Sequence, residues 1–333
     1  MKKYKVIIGI DVSKSKLDVC ILTDGQNKKQ FIIENNPKGY REIVKAIGLF
    51  SLDKQDCFFC LEHTGVYAMP ICYWFEQNEM NYCLVPALEI KRSIGIKRGK
   101  SDKADALAIA RFAYYKQGEL ACFRLAEKEL QLLKVLMSER EKLVRAIKMF
   151  TQTNEMKEFL PKSITKQAIG MNNKTVKFLQ KQQKEIEGRI TEIIENNPLF
   201  KNTVELAKSV PGVGDQTAIT LMITTRCFTR ITDWRKMACH AGVAPFEYTS
   251  GTSVHGKTKV NQMANKKLKV LLNLAALSAK KYDDELRLYY ERKVSEGKNG
   301  MSVMNAIRCK VLSRVYATVK RGTPYVPIAR YAA

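Results

Sequence analysis

Apolar positions in the first part of the chain fall in short, dense runs closed by acidic residues. Lys5 to Ile10 is a β-branched run that stops at Asp11, and Cys57 to Leu61 is another that stops at Glu62; both predict buried strands. Leu17–Leu22 alternates as a second strand, and Asp24-Gly25 offers a turn into a third at Lys29–Glu34. Helical spacing over Tyr40–Leu49, Ala68–Asn78 and Lys103–Tyr115, with a short strand at Tyr82–Val85, completes the order. Three strands, helix, strand, helix, strand, helix make a mixed α/β domain.

Beyond it the period changes. Between residues 124 and 196 Gly and Pro are scarce, and apolar residues recur at helical intervals. Leu130, Leu133, Leu136, Leu143 and Ile147 form one such series, and Val176–Ile194 carries a second. This predicts an antiparallel helical hairpin or a partner-binding coiled coil. After Pro198, Ser209-Val-Pro-Gly-Val-Gly214 precedes an apolar helix at Thr217–Ile223, the sequence form of a helix-hairpin-helix. Its Gly212 and Gly214 would let backbone N–H groups approach a DNA phosphate. A Gly/Ser/Thr-rich basic loop (Tyr248–Lys259) and three mostly helical segments follow. The expected organisation is an α/β domain over 1–120, a helical hairpin over 121–200 and a mainly helical domain over 201–333.

Charge adds a partner to this picture. The chain has 57 Lys+Arg against 33 Asp+Glu, a formal net charge of +24. Fourteen of those 24 excess charges fall in residues 201–333, which carry 23 basic and 9 acidic residues. Such an excess implies a polyanion, because each neutralised phosphate releases condensed counterions. Nothing reads as a signal peptide or a span of ~20 apolar residues, and nine scattered cysteines suggest reduced thiols. A cytoplasmic, nucleoid-associated protein is therefore expected. Cys57 and Cys60 form a lone C-x-x-C with no second ligand pair at zinc spacing, so they read as buried strand thiols.

Candidate chemistry lies in four acids. Asp11 and Glu62 close predicted strands, and Asp102 and Asp105 open a helix with i, i+3 spacing that puts both on one face. Four converging carboxylates repel unless a divalent cation sits among them, and hard oxygen donors suit Mg²⁺ or Mn²⁺. Two such ions can clamp a phosphodiester. Lys97, Arg98 and Lys100 flank the helix and would neutralise neighbouring phosphates. Asp18 reads as a strand-surface residue. Strand-Asp, strand-Glu and helix-Asp-x-x-Asp in this order resemble the RNase H-like fold of RuvC-type resolvases and many transposases.

The motifs themselves are more specific. Gly9-Ile-Asp-Val-Ser-Lys14, Glu62-His-Thr-Gly-Val-Tyr67 and Lys100-Ser-Asp-Lys-Ala-Asp-Ala106 resemble the three signatures of the DEDD-type insertion-sequence transposases. That family includes Piv-type DNA invertases and bridge-RNA-guided recombinases. Gly242-Val-Ala-Pro245, Thr249-Ser-Gly-Thr-Ser-Val254 and Lys257–Leu271 resemble its C-terminal domain, with Ala264 and Lys269 departing from the usual Gly and Arg. The resemblance implies DNA cleavage and rejoining during movement of the protein's own element. It also implies a homo-oligomer and an element-encoded noncoding guide RNA. It makes Ser250 a nucleophile that links covalently to a DNA phosphate, with Ser253 its competitor. Lys257, Lys259, Lys266 and Lys267 are placed to hold the adjoining backbone. A covalent phosphoserine conserves the phosphodiester for rejoining without ATP.

Three histidines complete the inventory: His63 reads as strand-end packing, His240 as a satisfied core residue, and His255 as a neighbour of the serine. Three rival readings stay open. A metal-dependent junction resolvase needs the four acids but not Ser250; a non-catalytic nucleic-acid scaffold needs neither. An actin-like nucleotide-binding protein shares the first strand but lacks glycine-rich phosphate loops here.

Overall fold

The computed structural model describes residues 4–48, 54–93, 102–152, 155, 158–250, 254–260 and 263–327. They form two compact units, Met1–Leu125 and Ala126–Ala333.

In the first unit, β1 (Val6–Val12), β2 (Lys16–Thr23) and β3 (Gln26–Glu34) form an antiparallel meander. Asp24 and Gly25, both at positive φ (51° and 76°), make the tight β2–β3 turn whose twist suits a hairpin. Next come α1 (Pro37–Gly48), β4 (Cys57–Glu62), α2 (Met69–Gln77), β5 (Tyr82–Val85), α3 (Ala87–Ser93) and α4 (Asp102–Lys116). The sheet order is β3-β2-β1-β4-β5, with β4 parallel to β1 and β5 parallel to β4. This is the RNase H-like α/β arrangement expected from the sequence. Its central strands are apolar along most of their length because both faces are covered. Val6, Ile8 and Ile10 join Phe59, Leu61, Tyr40 and Phe75 in a core on the face of α1 and α2. Ile7, Phe58, Cys60 and Cys83 pack on the opposite face against Ala106, Ile109, Ala110 and Ala113 of α4. Small residues on α4 bring its backbone down onto β1: a Cβ at Gly9 would lie 2.3 Å from Ala110 N and 2.4 Å from Ala106 O.

The second unit begins with α5 (Lys128–Gln152) and α6 (Lys162–Glu195), which run antiparallel. Arg140 meets Glu187 at 2.6 Å, and Asn197 donates to Glu129 at 2.7 Å. Their shared end is anchored by Leu130, Leu133, Met137, Ile190 and Ile194 in the core of the unit. That core is closed by α7 (Pro198–Lys208), α8 (Asp215–Thr225), α9 (Trp234–His240), α10 (Lys266–Tyr282), α11 (Asp284–Ser295) and α12 (Gly300–Arg321). The region expected as a loop at Tyr248–Lys259 differs. Its described residues form a two-stranded antiparallel sheet, β6 (Pro245–Ser250) and β7 (Val254–Val260). Polar side chains along both strands hide the pairing from a reading based on hydrophobic alternation.

Candidate functional site

The carboxylates are placed by the sheet. Parallel register pairs Ile10 with Leu61, so the next residues, Asp11 and Glu62, stand side by side where β1 and β4 end. Side chains alternate along a strand, so Asp11 shares the face of Gly9, the face on which α4 lies. Glu62 shares the face of Cys60, which packs in the same α4-side core. Asp105 adjoins Ala106, the residue whose carbonyl reaches Gly9, and Asp102 is the first residue of α4, one turn earlier. The backbone thus brings strand ends and helix start to one end of the sheet. Asp11, Glu62 and Asp105 are each half-buried; the Asp102 side chain lies outside the described residues. Among the described residues, no three His, Cys, Asp or Glu side chains gather closely enough to hold a metal ion. The donor chemistry still fits a hard divalent cation, since these positions offer carboxylate oxygens alone.

Asp18 requires a correction. It lies directly across β1–β2 from Asp11, is only 4% exposed, and is partnered by Lys16 at 3.4 Å. The alternating pattern of β2 places it on the α4 side, beneath a helix whose presence β2 alone cannot reveal. His63 and His240 are exposed, so neither packs as expected. The His63 backbone N–H extends the β4–β5 pairing by donating to Val85 O at 2.9 Å, and the His240 carbonyl accepts from Asn265 N at 2.9 Å. Cys57 and Cys60 are both fully buried, and strand alternation sends them to opposite cores, so they cannot share a ligand. Cys60 instead contacts Cys83, and this hydrogen bond, with burial, pushes the Cys83 thiol far above its ordinary range.

In the second unit, Ser250 closes β6 opposite Val254. The Ser250, Lys257, Lys259 and His255 side chains lie outside the described residues, as do Ser253, Lys97, Arg98 and Lys100 altogether. The hairpin's root is held firmly. Asn305 donates to Val243 O at 2.6 Å, and Arg308 donates to Asn305 Oδ1 at 3.2 Å and to Asn273 Oδ1 at 2.6 Å. Arg308 is 7% exposed and its Nε has no partner. The sequence signal was an arginine between Ile307 and Cys309, one helical turn after Asn305. Lys266 is exposed, whereas Lys267 is engaged with Glu141 of α5 at 2.8 Å. The two glycines of the α7–α8 turn have different reasons. At Gly212 (φ +89°) a Cβ would meet Ala275 O at 2.3 Å, so packing against α10 requires it. Gly214, the N-cap of α8, has open space around it. Lys208 and Asp215 form an ion pair across this turn.

No described helix is long and apolar enough to cross a membrane. A transposase family model of the DEDD, IS110 type matches residues 8–164, and the model of the IS116/IS110/IS902 transposase family matches 204–291. The chain is 24% identical to the pilin gene-inverting protein of Moraxella lacunata over 96% of its length and 98% of that protein's. It is 30% identical to an uncharacterised 43.6 kDa protein of insertion element IS110 from Streptomyces coelicolor, over 44% of this chain and 35% of that one. Thermus thermophilus RuvC, solved with a Holliday junction substrate, aligns with 36% of this chain and 99% of its own at 12% identity and a TM-score of 0.27. The two family models fall in order along the chain, one across the acid-bearing sheet and helix and the other from α7 across the β6–β7 hairpin into α11. The chain belongs to the DEDD-type transposases of the IS110 family and is a DNA transposase/recombinase.

Proposed function

We propose that the protein cuts and rejoins DNA strands to move its own insertion sequence, with Asp11, Glu62, Asp102 and Asp105 as ligands for Mg²⁺ or Mn²⁺ and Ser250 as nucleophile. The observation that carries this reading is the in-register placement of Asp11 beside Glu62 at the sheet end where α4 begins. A bound divalent cation supplies charge neutralisation at a phosphate and lowers the pKa of an attacking hydroxyl or water. The chain's own residues do the rest. Ser250 Oγ attacks phosphorus, forming an Oγ–P bond as the bond from phosphorus to the leaving deoxyribose oxygen breaks. The hydroxyl proton passes to solvent, and the freed deoxyribose oxygen takes one up. Reversal by a new strand's hydroxyl restores the serine. Arg308, Asn305 and Asn273 hold the hairpin root still while this happens, which is worth most when geometry is fixed before reaction.

Gly214, Lys257, Lys259 and Lys266 belong to this reading as contacts to the DNA backbone, with Lys97, Arg98 and Lys100 beside the acids. Gly212 and Lys267 serve the same surface indirectly, through packing and through Glu141. A homo-oligomer and an element-encoded noncoding RNA complete it; the net charge of +24 suits either nucleic acid.

The test is denaturing electrophoresis of protein incubated with element-end DNA, Mg²⁺ and the element's RNA. Wild type is expected to leave a protein–DNA adduct that Ser250→Ala abolishes. Undiminished strand cleavage by Ser250→Ala, with no adduct in either protein, would establish the resolvase-like reaction instead.

A further inference from the structure

Helix α6 is segregated by charge along its length. Between Lys162 and Lys184 it carries six lysines and no acid; between Glu185 and Glu195 it carries four glutamates and one arginine. The acidic end is internally matched. Glu187 pairs with Arg140 at 2.6 Å, Glu192 with Arg189 at 2.6 Å, and Glu195 with Lys201 at 2.7 Å. The basic end is not: among the described residues, Lys162, Lys166, Lys174, Lys177 and Lys181 make no ion pair, and all are exposed.

The lysines also share a direction. At about 100° per residue, Lys162, Lys166, Lys174, Lys177, Lys181 and Lys184 all fall within a sector of about 120°. The α5-facing seam of Thr165, Ile169, Val176 and Leu179 occupies a different sector, so the lysine face points away from the partner helix. Beside it runs a narrow strip of Ile164, Met171 and Phe178, exposed by 66%, 64% and 62%. The facing helix adds little to this face: of its three basic residues between Lys142 and Gln152, Lys142 and Arg145 pair with Glu139 and Glu141, and Lys148 makes no ion pair among the described residues. Like charges along the α6 face repel one another, and counterions gather on such a surface. A polyanion that displaces those ions is the complementary partner.

We infer that the outer part of the α5–α6 hairpin is a grip for duplex DNA, in which the lysine face of α6 runs along the phosphate backbone. From Lys162 to Lys184 the helix rises about 33 Å. At about 3.4 Å per base pair that is roughly ten base pairs, one turn of duplex. Lysine recognises phosphate as a point charge without reading bases, so the grip is independent of sequence. The neighbouring Ile164, Met171 and Phe178 offer an apolar strip to the sugar rings. A second copy of the chain is the poorer occupant of this face, since it would bring another lysine row against the first. DNA is the substrate class of the enzyme family, and the inference needs neither the metal site nor Ser250.

The experiment is equilibrium binding of the full chain to a 40-base-pair duplex across a salt series, in EDTA so that no strand is cut. The variant Lys166→Gln/Lys177→Gln/Lys181→Gln removes three unpaired charges; Lys142→Gln/Arg189→Gln/Lys201→Gln removes three that already have carboxylate partners. Circular dichroism verifies that both keep their helix content. The first variant is expected to make the slope of log Kobs against log salt shallower by about three, at roughly one per lost phosphate contact. The second is expected to leave that slope near wild type. An unchanged slope in the first variant overturns the proposal, as does a loss confined to duplex RNA. An unchanged slope together with weaker self-association in sedimentation overturns it as well, and makes the face a contact between copies.

Discussion

At Gly9 a single methyl group decides whether α4 can lie on β1. The clashing atoms, Ala110 N and Ala106 O, are backbone atoms at 2.3 and 2.4 Å, so no side chain can swing aside to relieve them. Gly9→Ala is therefore expected to cost about 1–3 kcal/mol in urea unfolding, as overpacking does, and to lift the start of α4 away from Asp11. An unfolding midpoint equal to wild type would show that the helix does not rest there. The α7–α8 glycines make a matched pair. Gly212→Ala meets both a positive φ and the α10 backbone and should destabilise by more than 2 kcal/mol. Gly214→Ala enters open space at an N-cap and should cost under about 1 kcal/mol, while weakening duplex binding if this turn holds a phosphate. Equal losses of stability in the two would remove the distinction between packing and contact. At this scale the sequence was a fair guide to acids that end strands, because a carboxylate closing an apolar run is visible in one dimension. It was a poor guide to Asp18, His63 and His240, whose burial or exposure depends on what another element covers.

Elements were legible where a period was clean. β4 and β5 match their expected bounds because continuous apolar runs in a doubly covered sheet have sharp ends. The short α3 went unseen, with one buried residue, Ile90, in seven. The first half of α6 was missed because Gly170, Asn172 and Asn173 dilute its apolar seam. Caps and ion pairs, rather than hydrophobic pattern, hold the helical unit's corners. Asp283 caps α11 by accepting from Leu286 N at 2.9 Å and pairs with Arg314 at 2.8 Å, both side chains being largely buried. Asp283→Ala removes the cap and leaves the buried Arg314 guanidinium only Glu285, at 2.6 Å, as a carboxylate partner, so a loss of about 1–3 kcal/mol in chemical unfolding is expected. Asp283→Asn keeps the cap acceptor and should lose less; a loss as large as that of Asp283→Ala would mean that the cap contributes nothing there. The α5–α10 contact is weaker. A hydrogen bond from Lys267, reinforced by Arg145, holds Glu141 below the usual carboxylate range. Its stabilising contribution is thus complete above the unfolded value of about 4.3 and fades as pH falls through the lowered folded value. Because the pair is one-third exposed, the contribution at pH 7 should stay under about 1 kcal/mol. In an NMR titration, Lys267→Ala should raise the Glu141 pKa; no movement would contradict the assigned cause.

For the whole molecule, charge and chemistry divide between the halves. The four candidate acids lie at one end of the first unit's sheet, where β1 and β4 end and α4 begins, and most of the basic excess sits in the helical unit. The RNase H-like fold was legible in the order of strand-ending and helix-opening acids, whereas the serine hairpin had no apolar signature to betray it. The central claim is that Asp11, Glu62, Asp102 and Asp105 serve one metal site. It is tested most directly by Mn²⁺ titration of the full chain without DNA, followed by electron paramagnetic resonance of free Mn²⁺. Wild type should take up Mn²⁺ at its highest-affinity site, and Asp11→Asn, Glu62→Gln and Asp105→Asn should each weaken that same site by at least about ten-fold, since each removes a charged oxygen ligand. Wild-type affinity and stoichiometry in all three variants would contradict the account.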